Sequence, residues 1–127
     1  MRKPTSPHLQ IYRLQITSGL SALHRISGVV LSITSAKIMI GLLVAGFFPE
    51  SWSLLRAIVT PVSITIGLSV LGCVWFFHSL TTLRYLYWDF ARGLDVPDVI
   101  RSGQCLLVLW MLCSLAFVVF LWNTRVL

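Results

Sequence analysis

Cys105-Leu-Leu-Val-Leu-Trp-Met-Leu-Cys-Ser-Leu-Ala-Phe-Val-Val-Phe-Leu-Trp122 carries no charged residue. An apolar stretch of about 18 residues, as a helix, crosses most of a hydrocarbon core about 30 Å thick. Backbone amides in lipid find no water, so they must be paired within the segment, and the run reads as a transmembrane helix. Gly103 precedes it, and Asn123 and Arg125 follow. Two further apolar runs lie upstream, over about 26–48 and 58–90. The first helix is expected to begin ahead of its run, which puts His24 and Arg25 on its first turns. Pro49-Glu50-Ser51 marks a turn, and Pro61 suits a helix start because its missing N–H is unneeded there. Asp89, Arg92, Gly93 and Pro97 mark the exit of the second run. The expected fold is all-α, with three spans at approximately 20–48, 58–90 and 104–123. These form a transmembrane domain, 20–127, behind a polar N-terminal arm, 1–19. Pro4 and Pro7 disfavour helix in the arm. It has neither the apolar core of a signal peptide nor the length of a transit peptide, and is expected to be retained.

Composition points the same way. Hydrophobic residues make up 57% of the 127 residues and charged ones 11%, against about 25% charged in soluble domains. That excludes a disordered segment and argues against a water-soluble domain. The net charge of +6 does not indicate nucleic acid, because the ten Lys and Arg form no run or stripe. Cys73, Cys105 and Cys113 lie in apolar stretches without a CxxC, so they read as small buried apolar residues rather than a disulfide framework or zinc site. Lys37 lies within the first run, where it must snorkel or face a partner helix.

Basic residues set the orientation. Arg2, Lys3, Arg13, Arg25, Arg84, Arg92 and Arg101 fall on one side, and Arg56 and Arg125 on the other. This asymmetry favours an inside N-terminus and an outside C-terminus. Trp52, Trp88 and Trp122 lie near span ends, as interfacial residues would. Trp75 and Trp110 do not, and are expected to pack between helices.

The second span carries a polar stripe. At about 100° per residue, His78, Thr81, Thr82, Tyr85 and Asp89 share one helix face. His78 lies eleven residues from Asp89, or about 16 Å along the axis. An imidazole at that depth needs a partner: a side chain, a water or a metal. A neutral imidazole with an open ring nitrogen is a natural axial ligand for haem iron. The plainer reading is a histidine hydrogen-bonded to a neighbouring helix. The third span offers no histidine, so a six-coordinate haem would take its other ligand from a second chain. On the first helix, Ser21 and Arg25 share a face, as do His24 and Gly28. A hydroxyl beside a guanidinium near the interface suits a polar head group or an anionic cofactor arm. The plainer alternative is contact with lipid phosphate.

Three stretches in this order resemble the cytochrome b membrane-anchor subunit of succinate dehydrogenase, respiratory complex II. Arg2-Lys3-Pro4-Thr5-Ser6-Pro7-His8-Leu9-Gln10-Ile11-Tyr12 is similar to the family's Arg-Pro-x-Ser-Pro-His-Leu-x-Ile-Tyr start, with Lys3 as an additional residue. Ser21-x-x-His24-Arg25-x-Ser27-Gly28 matches its Ser-x-x-His-Arg-x-[Ser/Thr]-Gly. His78 through Arg84 to Asp89 is similar to its His-x5-Arg-His-x3-Asp, with Tyr85 in place of the second histidine and Thr82 where many members have glycine. The resemblance covers the whole chain. It implies that His78 ligates haem b, with the opposite ligand from a second membrane-anchor subunit. It implies that Ser21 and Arg25 help bind ubiquinone, and that His24, Arg25, Arg84 and Tyr85 lie on the propionate side. The implied partners are that second anchor, an iron–sulfur subunit and a flavoprotein subunit, in a bacterial inner membrane, or a mitochondrial one if organelle-encoded. No residue of this chain is expected to oxidise succinate. The rival readings are a small membrane transporter and a haem-free structural anchor.

Overall fold

A computed structural model describes residues 15–124, all of whose regular structure is helical. The order is α1 (Ile16–Phe47), α2 (Ser51–Ile58), α3 (Pro61–Asp89) and α4 (Val96–Thr124). Three helices, α1, α3 and α4, are long and apolar enough to cross a membrane. At 1.5 Å per residue, the 32 residues of α1 reach about 48 Å, so the helix outruns the hydrocarbon core.

Local sequence explains the boundaries. Pro61 opens α3 at a position that needs no N–H, behind a reciprocal cap. The Ser63 amide donates to Thr60 Oγ1 at 3.2 Å, and the Thr60 amide donates to Ser63 Oγ at 3.0 Å. At the other end, Ala91 adopts φ 53° and Gly93 φ 66°, which turns the chain towards α4. Helix α4, which contains the third expected span, begins at Val96, because Pro97 and Asp98 suit a first helical turn even though it is polar. Likewise α1 starts at Ile16, ahead of the first expected span. Helix α2 has no counterpart among the expected spans. It is too short to cross a bilayer, and it exposes Trp52 and Arg56.

Helix α3 packs against both α1 and α4, and α1 also meets α4. The shared core is small: Leu20 from α1, Phe77 from α3 and Leu106 from α4 are buried, with Ile16, Leu80, Leu107 and Trp110 against them. Trp110 packs as expected, edge-on to Phe77 at 5.6 Å. Its Nε1–H donates to the Cys73 carbonyl at 2.9 Å. Trp75 does not pack in this way; it is 56% exposed on α3. Cys105 is also exposed rather than buried, and all three cysteines are free. Most large apolar side chains of α1, including Ile26, Val30 and Ile33, face outward. In lipid this carries no penalty, since acyl chains are as apolar as the side chains.

Candidate functional site

Polar side chains converge where α1 crosses α3. Thr81 is 1% exposed and Ser27 7%. Each hydroxyl has a single proton, and each gives it to its own helix. Ser27 Oγ donates to the His24 carbonyl at 2.7 Å. Thr81 Oγ1 donates to the carbonyls of Phe77 at 2.8 Å and His78 at 2.9 Å. Both oxygens must then accept across the interface. His24 Nδ1–H donates to Thr81 Oγ1 at 2.7 Å. His78 Nδ1–H donates to Ser27 Oγ at 3.0 Å. This accounting places a proton on each Nδ1, so that in the neutral ring the lone pair lies on Nε2.

The two imidazoles stack, with centroids 4.2 Å apart and planes 6° from parallel. Gly28 makes that approach possible, since a Cβ there would sit 3.1 Å from His78 Cε1. Tyr85 stands edge-on to His24 at 5.0 Å. His24, His78, Thr81 and Tyr85 therefore come together. Thr82 and Asp89 are exposed and stand outside the cluster. Ser21 is half-buried and Arg25 exposed, one turn apart on α1, and neither side chain has a hydrogen-bond partner among the described residues.

Arg84 goes elsewhere. It is 8% exposed, and its guanidinium lies 4.3 Å over the Trp88 ring. Nε donates to Ser102 Oγ at 3.1 Å, and Nη2 to the Val99 carbonyl at 2.7 Å, so two donors bind α4. Gly103 lies alongside: a Cβ there would press on Leu20 Cδ1 at 3.2 Å and meet Nη2 in ordinary contact at 3.5 Å. Trp88 Nε1 is buried without a partner among the described residues, and its ring packs under Arg84.

Ser27 stands within the α1 motif, which by itself gives it no role. Its spacing from His24 was the available signal, because a hydroxyl three residues on can bond back to the helix carbonyl. Among the described residues no group of three or more His, Cys, Asp or Glu could enclose a metal ion. An axial haem ligand needs only one imidazole from a chain, and the open Nε2 of His78 meets that requirement.

Residues 1–119 match the family described as succinate dehydrogenase/fumarate reductase transmembrane subunit. The succinate dehydrogenase cytochrome b556 subunit of Rickettsia felis is 33% identical over 121 residues, covering 95% of this chain and 91% of the relative. The cytochrome b560 subunit of Reclinomonas americana is 34% identical, covering 94% and 88%. The mitochondrial cytochrome b560 subunit of Mus musculus is 36% identical, covering 88% and 68%. Bacterial relatives and three apolar helices fit a multi-pass protein of the inner membrane. With a matching family across nearly all of its length and helices of the required kind, the chain belongs to the cytochrome b subunits of succinate dehydrogenase.

Proposed function

We propose that this chain holds haem b through His78, with the opposite axial ligand from a second anchor subunit, and helps form a ubiquinone reduction site through Ser21 and Arg25. The observation that carries the reading is the His78 ring: its Nδ1 pairs with Ser27 Oγ at 3.0 Å, and no hydrogen bond among the described residues engages its Nε2. When bound, the haem would supply a one-electron redox centre.

The remaining work falls to this chain's side chains. The apolar faces of α1, α3 and α4 hold the assembly in the bilayer. Arg25 and Ser21 have free donors near the inner end of α1. A ubiquinone carbonyl within their reach would be polarised by the guanidinium and would accept a hydrogen bond from the hydroxyl. Both contacts strengthen as negative charge develops on the quinone oxygens during two-electron, two-proton reduction. His24, Arg25 and Tyr85 form the propionate side. Arg84 contributes there only through the guanidinium N–H groups that α4 leaves free.

An iron–sulfur subunit delivers electrons to this site, and a flavoprotein subunit oxidises succinate; this chain itself does not. Gentle solubilisation and affinity capture of the chain tests the assembly. A flavoprotein, an iron–sulfur protein and a second small hydrophobic subunit should co-purify in fixed proportion, with a reduced-minus-oxidised b-type spectrum. Capture of the chain without them would favour the transporter reading. Capture with them but without the spectrum would favour the haem-free anchor.

The same reading puts the N-terminus inside, because the inner side carries seven of the nine basic residues outside the hydrocarbon core. In intact cells, an impermeant thiol reagent should label Glu50→Cys from outside and leave Asp95→Cys untouched. The reverse pattern would invert the topology and separate Ser21 and Arg25 from the electron-delivering side.

A further inference from the structure

We infer that Ser27 is the positioning residue for the haem-ligating imidazole: its hydroxyl locks the His78 tautomer, fixes the ring plane and raises the electron density at Nε2. The inference rests on the reading of His78 as an axial ligand, and extends it to a residue that touches neither iron nor quinone.

Four observations carry it. First, the Ser27 hydroxyl proton is already given to the His24 carbonyl at 2.7 Å, so its oxygen can only accept from His78. The bond therefore selects the tautomer with the proton on Nδ1 and the lone pair on Nε2. Second, the hydroxyl is pinned to a helix carbonyl, which gives its accepting lone pair a fixed direction. Third, Ser27 is 7% exposed, so water has little access to replace it. Fourth, Gly28 follows directly, and its missing Cβ lets the ring lie against α1, where a methyl would stand 3.1 Å from Cε1.

A serine hydroxyl in that place has a chemical consequence. Donation from Nδ1–H pushes electron density towards Nε2 and makes it the stronger base. A more basic axial ligand favours ferric over ferrous iron, so the contact should hold the haem potential down. The orienting bond also removes the freedom of the ring to rotate about its Cβ–Cγ bond.

The test uses the assembled complex carrying Ser27→Ala, with Ser27→Thr as the variant that keeps the hydroxyl. Haem content, the midpoint potential and the electron paramagnetic resonance of the oxidised low-spin haem are the readouts. Ser27→Ala should raise the midpoint potential and shift the resonance, while Ser27→Thr stays close to the parent. Loss of haem in Ser27→Ala with retention in Ser27→Thr would also support the inference. Parental potential and resonance in Ser27→Ala would overturn it. So would equal changes in both variants, because the space at position 27, not the hydroxyl, would then be what matters. A His78→Leu complex run alongside separates the two levels: if that variant kept its low-spin spectrum, the ligand assignment itself would have failed.

Discussion

A His78→Leu complex is expected to lose the low-spin b-type spectrum while still inserting and assembling. Leucine fills a similar volume and suits an apolar helix, but has no lone pair to give. The cost to the fold should be small. Ser27 keeps its bond to the His24 carbonyl, and only its acceptor role is vacated, a change of about 1 kcal/mol for a single neutral hydrogen bond. His24 keeps its own bond to Thr81. The effect should therefore appear in the haem and not in subunit content. Reduced-minus-oxidised spectra normalised to the flavoprotein measure it, and an unchanged low-spin spectrum would show that another residue is the ligand. His8→Leu provides the control. It lies in the arm, outside the described residues, and should leave the spectrum intact.

The second large effect is expected at Arg25. Removing one donor from a well-studied oxyanion site costs about 100-fold or more in rate. Arg25 is exposed on its helix, so water can partly replace it, and the expected loss for Arg25→Leu is about tenfold. The loss should fall on succinate–ubiquinone activity and spare succinate oxidation by a soluble artificial acceptor, which does not use the membrane site. Ser21→Ala should follow the same pattern at roughly threefold, the worth of a weak neutral hydrogen bond. Because Arg25 is also assigned to the propionate side, haem and subunit content must be measured beside the rate. An assembled Arg25→Leu complex with parental ubiquinone activity and parental inhibitor sensitivity would leave Arg25 as an orientation charge alone.

The spans were legible because membrane insertion depends on summed apolarity over long windows, and 105–122 has no charge to interrupt it. The first turns of α4 were not, because a helix that emerges from the bilayer keeps its backbone pairing while its side chains turn polar. Helix α2 was hidden for a related reason: eight residues that mix Trp52, Arg56 and serines resemble a loop. Within the site, periodicity placed His78, Thr81 and Tyr85 on one face correctly. It could not supply the cross-helix pairings, since Ser27 meets His78 only through the relative height of two helices. Arg84 shows the same limit. It lies well away from His78 around the α3 axis, and α4, whose approach no spacing rule gives, takes two of its donors.

The crossed imidazole–hydroxyl pairs also bear on how the helices find their alignment. In lipid, two apolar helices can slide past one another at little cost, because no water is released at either position. Among the described residues, the side-chain hydrogen bonds between α1 and α3 are the two histidine bonds. A slip by one turn, about 5.4 Å, breaks both together and strands two ring nitrogens and two hydroxyl oxygens in the bundle. The pair thus acts as a two-pin key for register. A lineage that abandoned the haem could not discard these four side chains freely, since the vertical alignment of its first two spans would go with them.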